Sequence, residues 1–343
     1  MLLTTARRFV ALATLVVATL VVVPGSTGAA PAAAGPQRMY VAVNVATVWT
    51  DPSKARPVDR PALTNPAHPL QWLRAMSPAQ KGDLTTSNRT QTQALYGAPV
   101  LVLARRGAWS QVVVPRQPTP RDSRGYPGWI PTVQLTRSPA FAAAVSRRSF
   151  ALVDRGIGTG LYAGPRLRQR VLTLSMNTRL PVVGRTDRAL VVGTPDRGRL
   201  WLPKARATVH RTERAIPRPT GRDLVRTART FLRQPYVWAG RSGFGFDCSG
   251  LTGTVYQVHG ITIPRDSGPQ AQDQRARRVA AGNLRAGDLM FYSRSADAGD
   301  IYHVSMYVGN GKMIEAFDHV TPVRITAARL GGNYWGAVRY LNG

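Results

Sequence analysis

Cys248 is the only cysteine in a chain of 343 residues. It stands in Phe246-Asp247-Cys248-Ser249-Gly250, and the residues that follow it carry helical spacing to Val258, with Gly260 as the stop. A cysteine in the first turn of a helix faces unpaired N–H groups and the positive end of the helix dipole, and both favour the thiolate. The same N–H groups can hold a developing oxyanion. The bland alternative is that Cys248 is a small buried hydrophobe. A single thiol excludes an internal disulfide framework and any multi-cysteine metal site.

A nucleophilic thiol needs a base, and the chain holds five histidines: His68, His210, His259, His303 and His319. His303 lies in Ile301-Tyr302-His303-Val304-Ser305-Met306-Tyr307-Val308, an alternating run that reads as a strand ending at Gly309-Asn310-Gly311. Lys312-Met313-Ile314-Glu315-Ala316-Phe317 reads as the returning strand. Loop length decides which side chains meet. A two-residue Asn310-Gly311 turn pairs Val308 with Met313 and puts His303 and Glu315 on opposite faces. A three-residue loop with Gly311 as a left-handed bulge pairs Val308 with Lys312; Ser305 then faces Glu315, and His303 lies diagonal to Glu315 on one face. Diagonal neighbours sit about 7–8 Å apart at Cα, within reach of long side chains. A carboxylate placed there fixes the imidazole and favours its charged form. The alternative is a surface glutamate beside a core histidine. His319, farther along the same face, is the rival of Glu315.

These residues sit in a C-terminal α+β segment, residues 218–343, with helical spacing at 223–232 and 248–258 and several strands. Pro217-Arg218-Pro219-Thr220-Gly221 is the linker before it. Upstream, short apolar runs alternate with turn-rich stretches. Tyr40-Val41-Ala42-Val43, Val100-Leu101-Val102-Leu103 and Gln111-Val112-Val113-Val114 predict one small β-barrel over 37–136, with a helical interruption near 70–76. Ser149 to Val153, Gln169 to Leu172, Leu180 to Val183 and Ala189 to Val192 predict a second over 145–207.

The chain is 43% hydrophobic and 18% charged, enough to bury sizeable cores, so wholesale disorder is excluded. Its 46 basic residues against 17 acidic give +29, and all but Lys54, Lys81, Lys204 and Lys312 are arginines. The arginines are scattered, with no basic stripe interleaved with aromatics, which argues against a nucleic-acid binder and suits an anionic envelope surface or its polymers as a neighbour. Arg7-Arg8, the apolar run from Phe9 to Val23 and the small residues from Thr27 to Gly35 read as a signal peptide over 1–29, too short for a membrane span. Export by the ordinary secretory route is the expectation, with the arginine pair leaving a twin-arginine route open. Removal of Arg7 and Arg8 leaves +27 on a mature chain with no further segment of membrane-spanning length.

Taken together, Pro235-Tyr236-Val237-Trp238-Ala239-Gly240, Phe246 to Gly250, Ile263-Pro264-Arg265-Asp266-Ser267, Leu284-Arg285-Ala286-Gly287-Asp288-Leu289-Met290-Phe291 and His303 to Gly311 resemble the NlpC-type peptidase family. These are papain-like cysteine peptidases of bacterial cell walls. The resemblance implies a Cys248 nucleophile, a His303 base and Glu315 as the group that orients it, where the family often has a histidine. Val43 to Trp49, Thr92 to Gly97 and Gly125 to Pro131 are similar to the SH3-like domains that precede dipeptidyl-peptidase VI-type members. Such members cleave the γ-D-glutamyl bond to the diamino acid of wall stem peptides or muropeptides whose L-alanine amine is free.

By that resemblance Asp266 meets the ammonium, Arg265 and Ser267 support the same pocket, Tyr126 reaches in from the first barrel, and Tyr236, Asp247 and Ser249 line the site. An acidic residue stands near the Thr92-Gln93 pair in relatives; Gln91 occupies a comparable place here, which implies weaker amine selectivity. The alternatives for Tyr126 and Asp247 are a core residue and a helix cap. No metal or organic cofactor is implied. Two other functions stay open: an endopeptidase acting on intact cross-linked wall, and a wall-binding protein with an idle catalytic fold.

Overall fold

The computed structural model describes Leu2 and residues 35–341. The signal peptide expected over 1–29 lies outside the described residues, Leu2 apart.

Two seven-stranded antiparallel sheets come first, and they repeat one topology. Numbered in chain order within each sheet, the strands of Gln37–Val41 to Leu135–Thr136 and those of Phe150–Val153 to Ala207–His210 both run 3-2-6-5-4-1-7. Alternating burial along strands such as Pro99–Arg106 and Gly158–Tyr162 gives each sheet one apolar inner face, and each encloses its own core. Gly158–Tyr162 and Arg199–Pro203 are strands that the apolar runs did not reveal. Their glycines and proline interrupt the pattern, and their neighbours in the sheet supply the pairing that propensity does not.

The interruption of the first barrel is larger than the one helical stretch expected. It holds α1 (Arg60–Leu63), α2 (Pro69–Ala75) and α3 (Pro78–Thr86). Helix α3 buries only Leu84, so its apolar spacing is nearly silent, yet its start is written in Ser77-Pro78-Ala79-Gln80. Ser77 Oγ accepts from Gln80 N at 3.2 Å and Gln80 Oε1 from Ser77 N at 2.9 Å, a reciprocal cap with proline in the first turn. This insert packs Trp72, Leu73 and Leu84 with Trp49 and with Val237 of the last domain. A helix α4 (Pro139–Arg147) joins the two barrels.

The C-terminal domain has a six-stranded sheet and three helices, α5 (Gly221–Arg229), α6 (Cys248–Val258) and α7 (Ser267–Ala271). The expected fold class, a papain-like α+β domain behind two all-β SH3-like barrels, is the one found. All eleven residues of α6 are buried, and the helix packs on the strand Ile301–Gly309 that carries His303. Small residues allow that depth. A Cβ on Gly250 would stand 1.9 Å from the Gly240 carbonyl oxygen, so backbone there touches backbone.

Gly250→Ala should therefore cost about 3 kcal/mol or more by overpacking, whereas Gly282→Ala, with nothing within 4 Å, should stay within about 0.5 kcal/mol. Denaturant unfolding of the two variants checks this; equal midpoints would mean that the Gly240 loop yields freely.

Candidate active site

Asp247 caps α6, its Oδ1 accepting from Gly250 N at 2.6 Å. That leaves the N–H groups of the first turn around Cys248 free to face the thiol. The N–H of Ser249 and that of Val304, the residue after His303, both lie where they favour the thiolate. They do not prevail. Burial, and then the Asp247 carboxylate, push the Cys248 thiol up to about 12. The helix-start donor expected to favour the thiolate is present, but burial opposes it, so a base is needed to take the proton during reaction.

That base is positioned by the hairpin. Nε2 of His303 lies 2.9 Å from Glu315 Oε2, with the histidine 3% exposed and the glutamate wholly buried. With Nε2 turned to the carboxylate, Nδ1 is the ring nitrogen left to exchange a proton. The rings of Tyr292 and Phe317 hold the imidazole from two sides, with centroids 5.5 and 5.4 Å away. The pairing Met306 to Ile314, continued one step, sets Ser305 across from Glu315. The loop that achieves this differs from the three-residue form considered above. Gly309 pairs with Lys312 across a two-residue Asn310-Gly311 turn, both at positive φ, and Val308 is the extra residue in its strand. The bulge sits before the turn, and the net parity is the same. His319 points elsewhere: its ring lies over Gly82 of α3, where a Cβ would come within 3.1 Å.

The remaining candidate residues fall into two groups. Asp247 and Arg265 are engaged with each other at 2.7 and 3.1 Å, and Arg265 also donates to Ser249 Oγ at 2.9 Å and to Thr92 Oγ1 of the first barrel at 2.8 Å. These residues line the pocket in the resemblance; here their polar atoms build the wall behind it. The second group lies where the catalytic domain meets the first barrel. The Tyr126 hydroxyl, from the first barrel, donates to Asp266 at 2.9 Å. Burial raises the Asp266 carboxyl, while Arg265 and the tyrosine hydroxyl pull it down. Ser267 is buried at the start of α7, directly after Asp266. Tyr236, 8% exposed, has its phenol held protonated first by burial, with Asp247 close by.

A family model described as NlpC/P60 matches residues 233–340, and one described as the YKFC SH3b2 domain matches 158–210. Over 307 residues the chain is 42% identical to a gamma-D-glutamyl-L-lysine dipeptidyl-peptidase of Bacillus cereus, covering 89% of this chain and 91% of that one. The chain belongs to the NlpC/P60 family. A Bacillus subtilis protein of the same name is 34% identical and covers 79% and 87%. The crystal structure of an NlpC/P60 family protein from Bacillus cereus superposes with a TM-score of 0.84 at 40% identity, over 89% of this chain and all of that one. By contrast, the probable endopeptidase p60 of Listeria welshimeri is 37% identical over only 35% of this chain. This NlpC/P60 chain is a cysteine peptidase, as its family membership and near-full-length relatives show.

Three arginines in this site carried no sequence signal. Arg324 and Arg329 both reach Glu315, at 3.1 and 2.7 Å, because the Arg324–Ala327 strand pairs with Lys312–Glu315. Arg121, on the loop after Gln117, donates to Gln91 Oε1, stands 3.4 Å from the Tyr126 hydroxyl and lies over the Tyr126 ring. In a chain this rich in arginine, pairing alone distinguishes these from the rest.

Burial would raise the Glu315 carboxyl, but bonds from His303 and Arg329 outweigh it and hold the group at about 2, below the ordinary 4.5. A depressed carboxyl contributes stability that is full above its unfolded value and disappears as pH falls through the folded one. Wild type should therefore lose on the order of 3 kcal/mol between about pH 5 and pH 2, and Glu315→Gln should lack that part of the slope. Urea midpoints across this range test it; parallel curves would show the carboxylate contributes nothing.

Proposed function

We propose that the protein hydrolyses the γ-D-glutamyl bond to the diamino acid in wall stem peptides that present a free N-terminal L-alanine, acting outside the cytoplasm after loss of residues 1–29. The observation that carries this is the Tyr126–Asp266 pair, a half-buried carboxylate in the catalytic domain bonded by a hydroxyl from the first barrel. A carboxylate next to Arg265 of the catalytic domain and bonded by a second domain suits recognition of one substrate ammonium. The relatives matched over nearly the whole chain, barrels included, carry the dipeptidyl-peptidase name, whereas the endopeptidase relatives match its last third.

The chemistry follows from the geometry. His303 takes the Cys248 proton at Nδ1 as Sγ attacks the γ-carbonyl carbon, and Glu315 holds the imidazole through Nε2. N–H groups at the start of α6 and the Tyr236 hydroxyl receive the oxyanion. The imidazolium then protonates the departing amine of the diamino acid. Water, deprotonated by His303, attacks the thioester and releases the dipeptide with a free γ-carboxylate and the thiol restored. Arg324 and Arg329 largely neutralise Glu315, so its role is to orient the ring more than to charge it.

Cleavage of L-Ala-γ-D-Glu-diamino-acid peptides, followed by mass, should vanish in Cys248→Ala with folding intact. Glu315→Ala should cost orders of magnitude and His319→Ala far less, as the loss of an orienting group does in serine-protease triads. Residual turnover in Cys248→Ala, or the reverse ranking, would sink this assignment of roles.

Truncating one member of a buried charge pair costs about 2–5 kcal/mol. Asp266→Ala should accordingly lower kcat/KM for the free-amine peptide by about thirtyfold or more, and barely alter a low rate on its N-acetylated form. Arg121→Ala should raise the free-amine value by removing a resident cation beside Tyr126. As pH falls through the raised Asp266 value, its carboxylate is lost and kcat/KM for the free amine should drop above the usual carboxylate range, a limb absent in Asp266→Asn. Equal rates on free and acetylated peptides in wild type would favour an open-cleft endopeptidase.

A further inference from the structure

Away from Cys248, a cavity of about 860 Å³ opens where all three domains meet. Its wall comes from the strand end and turn Gln93 to Pro99 of the first barrel, from Asn177 to Arg179 and Arg211 to Glu213 of the second, from the C-terminus of α4, and from Arg241 and Gln257 of the catalytic domain. The volume lies in the range of ligand sites, about 300–1,000 Å³.

Charge is what sets it apart. Six arginines line it (Arg116, Arg147, Arg148, Arg179, Arg211 and Arg241) against a single acid, Glu213. One oxygen of that acid serves two of them, at 2.7 Å from Arg116 and 3.0 Å from Arg179. Among the described residues no carboxylate pairs with the other four. Arg241 is 3% exposed; its Nη2 donates to Gln257 Oε1 at 3.1 Å, and its Nη1 is buried with no hydrogen-bond partner. A buried guanidinium nitrogen left without a partner is costly, and this one belongs to a residue lining an arginine-rich void at a domain junction. Burial first, then nearby arginines, lower Arg241 to about 9 and Arg179 to about 10, as expected where positive charge is under-compensated.

We propose that this cavity is a binding site for a polyvalent phosphate-bearing anion that ties the three domains together. Guanidinium groups approaching from three domains suit a tetrahedral group, which accepts from all directions, better than a planar carboxylate, which is satisfied by one fork. Arg147, Arg148 and Arg211 are exposed at the mouth and supply capture; Arg116, Arg179 and Arg241 form the deeper wall. Nothing in the site overlaps the thiol, so occupancy stabilises the assembly without entering the reaction.

The test uses the full chain with sodium tripolyphosphate, at constant ionic strength held with NaCl. Calorimetry should show saturable binding, and the midpoint of thermal unfolding should rise by about 3 °C or more at saturating ligand. The double variant Arg148→Ala/Arg211→Ala should weaken binding at least tenfold, while Arg222→Ala, on α5 and outside the cavity, should not. A short glycerol-phosphate oligomer separates the sources: if it binds too, the site takes phosphodiester chains, and if not, free polyphosphates. No saturable binding of either probe overturns the proposal. So does equal weakening by Arg222→Ala, which would reduce the effect to net charge, and so does citrate binding as tightly as tripolyphosphate, which would remove the preference for phosphate.

Discussion

Arg265 is 1% exposed, and its guanidinium joins three things that must stay in register. It binds Asp247 through both nitrogens, Ser249 Oγ beside the nucleophile, and Thr92 of the first barrel, while its own N–H donates to the Pro118 carbonyl at 2.9 Å. Asp247 in turn caps the helix that carries Cys248. One buried ion pair thus sets the helix start, the loop before Asp266 and the seating of a separate domain. Such a pair repays its desolvation only when its remaining hydrogen bonds are met, and here Thr92, Ser249 and Gly250 meet them.

The consequence is a catalytic domain joined to the first barrel close to its reacting residues. The reacting groups lie in the C-terminal domain, but the roof over Asp266 comes from Tyr126 of the first barrel, and the insert α1–α3 packs its aromatic core against Val237 beside Tyr236. The same logic explains why the duplicated barrels are not equivalent. The first touches the pocket, whereas the second meets the far end of α6 through Asn177 Nδ2 to Gln257 Oε1 at 2.7 Å and Arg179 to the Gln257 carbonyl at 2.7 Å.

Electrostatics inside the cleft is a balance of near-cancelling terms. Burial and the Asp247 carboxylate raise the Cys248 thiol against two N–H donors, and His303 and Arg329 hold the Glu315 carboxyl down against burial.

Much of this was legible before any coordinates. The motif around Cys248 and the alternating strand through His303 are local patterns that backbone geometry lets a sequence spell out, whereas the loop between His303 and Glu315 allowed two parities and the strand register chose between them. The capping box at Ser77 was equally readable, although α3 lacks an apolar stripe to draw attention to it. What only the tertiary structure decided is which charges meet. Nothing in the order of residues says that Arg324 and Arg329 converge on Glu315, that Arg121 lies by Tyr126, or that six arginines from three domains surround one cavity. With 42 arginines of similar local context, partner choice depends on distances between segments far apart in the chain, and burial then decides whether each pairing shifts a proton.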